Sequence, residues 1–128
     1  MGLAKQSTTQ ARQRLEADRN LAEGLPELLR AVAEAQEALD QAREWNAPVE
    51  ELHQRGVALD EALTEAMRAA YARERTLVGP KGYVDRIYRR KRLARPEVRE
   101  ATQTAERLLT ARETHRLHGI QRVPPRAA

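Results

Sequence analysis

Six basic residues lie within ten positions of this chain: Arg86, Arg89, Arg90, Lys91, Arg92 and Arg95. Lys81 precedes them, and Tyr83 and Tyr88 stand among them. No other segment has residue types and spacing that suggest a specific chemistry. A guanidinium presents a planar fork that grips phosphate at two points and stays charged at any working pH. Bases at this density neutralise several phosphates together and make binding steeply salt-dependent. Tyrosine rings beside them add stacking on unpaired bases. Lys81, Tyr83, Arg86, Tyr88, Arg89, Arg90, Lys91, Arg92 and Arg95 are therefore the candidate nucleic-acid-binding residues. The competing reading is that the same arginines bridge to carboxylates of this chain or of a second copy. A positive stripe with both tyrosines exposed favours nucleic acid; arginines directed into carboxylates favour self-contact.

Other constellations carry less. His115 and His118 are three apart and near Glu113, a spacing that suits a metal, but Arg112 and Arg116 flank them and repel a cation. No metal site and no cofactor is assigned. Ser7 is the sole serine and cysteine is absent, so a nucleophile activated by histidine has no basis. Glu50 with Glu51, and Glu61 with Glu65, read as helix N-terminal charges and i,i+4 partners rather than catalytic pairs. Gly79-Pro80-Lys81-Gly82 lacks the spacing of a P-loop; it reads as a hinge, with backbone N–H groups that could meet a phosphate at the start of the next helix. His53 reads as a surface residue. These patterns point away from an enzyme.

The charge of the chain is divided by position. Residues 1–78 hold ten Lys/Arg against fourteen Asp/Glu, whereas residues 79–128 hold thirteen against five, so −4 and +8 sum to the overall +4. The division implies an acidic part that pairs helices and a basic part that meets an anion. Aromatic residues are limited to Trp45, Tyr71, Tyr83 and Tyr88, while charged residues make up 33% of the chain. So little bulky apolar mass favours long helices packed along narrow seams, with self-association supplying further burial. No apolar stretch reaches the roughly 20 residues of a spanning helix, and no signal peptide is evident, which places the expectation in the cytoplasm. The Arg-rich, Lys-poor basic set matches the coding bias of high-GC bacteria and phages.

The elements that must position these residues are all helical. Leu25, Leu28, Val32, Ala35, Leu39 and Ala42 are spaced 3,4,3,4,3, the seam of a helix that pairs with another. The phase runs back through Ala22, Asp18, Leu15 and Ala11, with Ser7, Thr8 or Thr9 as a cap. Gly24-Leu25-Pro26 predicts a kink or break between helices over about 8–23 and 26–45. After Asn46-Ala47-Pro48, the residues Val49, Leu52, Gly56, Leu59, Leu63, Ala66 and Ala70 repeat the spacing, and Leu77 extends it. This predicts a helix over about 49–77 that folds back as an antiparallel hairpin, with Trp45 stapling the turn. Val78-Gly79-Pro80-Lys81-Gly82 stops it. A short basic helix follows over 83–94, with Val84, Ile87 and Tyr88 apolar. Pro96 then opens a last helix bearing Val98, Ala101, Ala105 and Leu108, which fades near Gly119.

The expected fold is thus all-α: a heptad-patterned, coiled-coil-like hairpin with a kinked first helix over 1–78, a basic helical module over 79–120 and an irregular tail over 121–128. The two basic-region helices could form a helix-turn-helix, although their connector lacks the usual glycine; Pro96 excludes a continuous basic zipper. The expected function is a small, oligomeric, nucleic-acid-binding accessory protein, with DNA favoured over RNA. The alternative is a structural or adaptor protein of a larger assembly, such as a phage particle component or an inhibitor that docks on another protein.

Overall fold

The computed structural model describes the backbone of residues 2–125 and the side chains of residues 8–125. Five α helices follow in order: α1 (Gly2–Glu23), α2 (Leu25–Glu44), α3 (Val49–Val78), α4 (Arg86–Leu93) and α5 (Pro96–His118), with a 3-10 turn over Pro80–Tyr83. Among the described residues no strand is present, so the all-α expectation holds. No helix is long and apolar enough to cross a membrane.

Local signals set the boundaries. The expected break between the first two helices is a single turn residue, Gly24. Helix α2 ends in a Schellman motif: Ala47 N–H donates to the Ala42 carbonyl and Asn46 N–H to that of Arg43. Asn46 supplies the positive φ of 52° that this cap requires. Helix α3 stops at Gly79, whose φ of 97° and ψ of 173° lie in a region open essentially to glycine alone. Asp85 caps α4 by accepting a hydrogen bond from Tyr88 N–H.

Two local expectations need correction, and a third is met. Helix α1 already runs from Gly2, so Thr8 and Thr9 lie inside it and cap nothing; the Ser7 side chain is outside the described residues. Trp45 does not staple its turn and is 77% exposed, because the Schellman hydrogen bonds hold the turn without it. Residues 121–125 carry no regular structure as expected, and 126–128 lie outside the described residues.

The chain divides into two compact units, each built from segments distant in sequence. The first takes the chain up to Leu25 together with Met67–Arg107. Its buried seams are Ala11, Leu15 and Asp18 of α1, Ala69, Ala70, Ala72 and Val78 of α3, and Val98, Ala101 and Ala105 of α5. Side chains this small let helix backbones approach closely. Polar contacts join the same helices: Asp18 to Arg75, and the buried Glu74, which accepts from Thr102 Oγ1 at 2.7 Å.

The second unit takes Pro26–Ala66 together with the chain from Leu108 onward. Leu39 and Ala42 of α2, Leu59, Leu63 and Ala66 of α3, and Leu108 of α5 are buried there. His115 continues the α5 seam and donates from Nε2 to the Gly56 carbonyl at 2.7 Å. Arg116 pairs with Asp60 at 2.6 Å. Beyond α5, Arg43 donates to the Gly119 carbonyl at 2.8 Å and His53 Nδ1 to the Gln121 carbonyl at 2.7 Å. His53 is therefore a half-buried anchor for the segment after α5 rather than a free surface residue.

Candidate nucleic-acid interface

The site lies in the first unit, where the 3-10 turn packs against both α1 and α4. Helix α4 is held by its inward line, Tyr88 and Arg92, four residues apart and so on one face. The Arg92 guanidinium donates to the carbonyl of Leu77 at 3.2 Å and stands 6.0 Å from the Tyr88 ring centroid. That carbonyl is one of the orphan acceptors at the end of α3, where a cation also complements the helix dipole. Arg92 is thus occupied in closing α3.

The rest of the basic set faces outward. Lys81, Arg86, Arg89, Arg90, Lys91 and Arg95 are all exposed. Among the described residues none of these six pairs with a carboxylate. Arg86, Arg89 and Arg90 fall on one face at i, i+3 and i+4, and Lys91 and Arg95 extend the positive surface beside it. Val84 and Ile87, two of the apolar residues of this segment, are 59% and 71% exposed, and Val84 precedes α4. The inward side is formed by Tyr88, Arg92 and Leu93.

Neither tyrosine is a free stacking platform. Lys81 Nζ sits 5.0 Å from the Tyr88 centroid, opposite in kind to a base and already using the ring's negative face. Arg14 stands 5.3 Å from the centroid of Tyr83. The Tyr83 hydroxyl donates a hydrogen bond to Asp18. Asp18 also accepts from Arg75 Nε at 2.8 Å and Nη2 at 3.0 Å, a two-point fork.

This network shifts the acidities of its members. Burial works against the charge of Asp18, but hydrogen bonds from Arg75 and Tyr83, with the charges of Arg75 and Arg14, outweigh it and hold the carboxyl below its usual value. Burial, then the hydrogen bond and charge of Asp18, push the Tyr83 hydroxyl up to about 12. The Asp18 hydrogen bond raises Arg75 despite partial burial.

No family model, curated protein or solved structure matches this chain.

An anion at the N-terminus of α4, one reading of the Gly79–Gly82 turn, meets an obstacle. The Asp85 carboxylate already occupies that end. Gly82 N–H is also spent, on the Gly79 carbonyl at 3.1 Å. The cationic side chains, rather than backbone N–H groups, are what the site can offer a phosphate.

Residues outside the basic segment hold Tyr83 in place, Asp18 by its hydrogen bond and Arg14 over the ring. Arg14, Arg75 and Asp18 were not singled out for it, since they lie in an acidic region patterned as a helix seam. One signal was present: Asp18 occupies a seam position, and a buried carboxylate needs a cationic or hydrogen-bonding partner.

Proposed function

We propose that this protein is a nucleic-acid-binding accessory protein that grips phosphates through the outward face of α4. The observation that carries the reading is the set Arg86, Arg89, Arg90, Lys91 and Arg95, exposed and without a carboxylate partner among the described residues. Self-contact within the chain would have directed such arginines into acids. Because the faces of Tyr83 and Tyr88 are engaged by cations, the affinity is electrostatic, with little from base stacking, and duplex DNA is the favoured ligand.

The finer architecture supports the same reading. We take α2 and the first part of α3 to be an antiparallel hairpin, since their buried residues Leu39, Ala42, Leu59, Leu63 and Ala66 all fall on the two heptad seams. Leu28, Val32 and Ala35 on the α2 seam are only half-buried, and a second copy would complete their burial. An oligomer would multiply weak phosphate contacts.

The test is fluorescence anisotropy of labelled duplex and single-stranded oligonucleotides across a salt series. If the five cations engage phosphate, the slope of log K against log salt approaches roughly −4 to −5. Replacing Arg86, Arg90 and Lys91 together by Gln should remove most of that slope and leave helical content unchanged. Wild-type affinity in the triple variant would eliminate α4 as the site.

A second reading, an adaptor within a larger assembly, draws on one observation. Trp45 is 77% exposed at the α2–α3 turn, and exposed tryptophans are frequent anchors of protein interfaces.

A further inference from the structure

The outward face of α4 borders a cleft of about 230 Å³ lined by Arg14, Arg75 and Arg89, with Val78, Gly79, Gly82 and Tyr83 completing its wall. Arg14 of α1, Arg75 of α3 and Arg89 of α4 thus meet at one recess beside the 3-10 turn. Two of them are held in place. Arg14 rests over the Tyr83 ring, and Arg75 is locked by the Asp18 fork through Nε and Nη2. Arg75 retains Nη1 as a donor, and Arg89 keeps its whole guanidinium. The glycines shape the recess: a Cβ at Gly82 would run into the Val78 side chain, whereas one at Gly79 would have nothing within 4 Å. The wall is therefore close at Gly82 and open at Gly79.

Size and charge choose the occupant. The cleft is smaller than the roughly 300–1,000 Å³ of small-molecule sites, so it suits one compact group rather than a nucleoside. Arg14, Arg75 and Arg89 face Asp18, with Glu74 also acting on Arg75, so the cleft keeps a net positive charge. A phosphodiester within a strand carries one negative charge, but a phosphate monoester carries about −1.5 to −2 at neutral pH and three strong acceptor oxygens. Three arginine donors match the three oxygens of the monoester.

We propose that this cleft is a binding site for a phosphate monoester, the terminal phosphate of a DNA strand whose backbone runs along α4. Arg14 and Arg75 supply a preorganised cradle, and Arg89 joins the cleft to the α4 face. The assignment of a strand end rests on the DNA-binding reading of α4; the phosphate chemistry of the cleft does not.

The experiment compares one labelled DNA duplex with hydroxyl ends, with 5′-phosphates and with 3′-phosphates, binding to the full chain. One phosphorylated form should bind about tenfold or more tightly than the hydroxyl form, as expected for new charge-assisted contacts. Arg14→Gln should abolish that preference and leave the affinity for the hydroxyl form nearly unchanged. Equal affinity for all three duplexes overturns the inference while the DNA-binding reading stands. If no duplex binds, that reading fails, and the strand-end assignment with it. A titration with inorganic phosphate, followed by NMR of arginine Nε–H groups, then separates the sources. Shifts at Arg14 and Arg89 without DNA binding assign the cleft to a free phosphorylated compound, and their absence overturns the phosphate site itself.

Discussion

Asp18→Ala tests the network on which the cleft is built. The carboxylate side chain is 11% exposed and that of Arg75 39%. Its removal leaves the Arg75 fork and the Tyr83 hydroxyl without their acceptor. Losing one partner of a fully buried pair costs about 3–5 kcal/mol, and an exposed pair contributes about 0.2–1 kcal/mol. With one partner buried and the other partly solvated, the expected loss is about 2–3 kcal/mol. For a chain of this length that corresponds to a fall in melting temperature of roughly 8–12 °C. Urea unfolding followed by circular dichroism measures the first quantity and thermal melting the second. A double-mutant cycle with Arg75→Ala should return a coupling above about 1 kcal/mol, as expected for residues in direct contact. A loss for Asp18→Ala below about 0.5 kcal/mol would refute the reasoning, because the pair would then behave as surface charge.

Other outcomes follow from single residues. Gly79→Ala should cost about 1–3 kcal/mol in urea unfolding despite the open space around it, since the strain lies in the backbone angles. Leu39→Ala, at 1% exposure, should cost about 2–5 kcal/mol by the same assay. Asp18 and Asp60 both have lowered pKa values, Asp60 chiefly through its hydrogen bond from Arg116. Their stabilisation is present above the unfolded carboxylate range near pH 4 and is lost as pH falls through the folded values; Asp18→Asn with Asp60→Asn should flatten the acid limb of a pH–melting curve. Tyr83, raised to about 12, contributes fully below the unfolded value near pH 10. That contribution is lost as pH rises through about 12, and tyrosinate absorbance in Asp18→Asn should show Tyr83 titrating earlier.

Much of the fold was legible because its determinants are local. Heptad spacing exposes one face every turn, and Asn46 and Gly79 end helices through backbone preferences that need no distant partner. Pro96 at the start of α5 belongs to the same group. The basic residues of α4 were also visible, since charge at high density is a property of composition. Which of them remain free was not visible. Arg92 and the two tyrosines belong to the same run, yet they are half-buried against Leu77, Lys81 and Arg14, contacts that arise only when α4 and the 3-10 turn pack.

The cleft was settled by tertiary structure alone. Asp18 meets Arg75 across 57 residues and Tyr83 across 65. Periodicity reports which face of a helix is buried and is silent on which distant face it meets. Arg14, Arg75 and Arg89 share one recess only because α1, the end of α3 and the start of α4 converge on the Pro80–Tyr83 turn. Three charges gathered from separate helices by that packing leave no trace in local spacing.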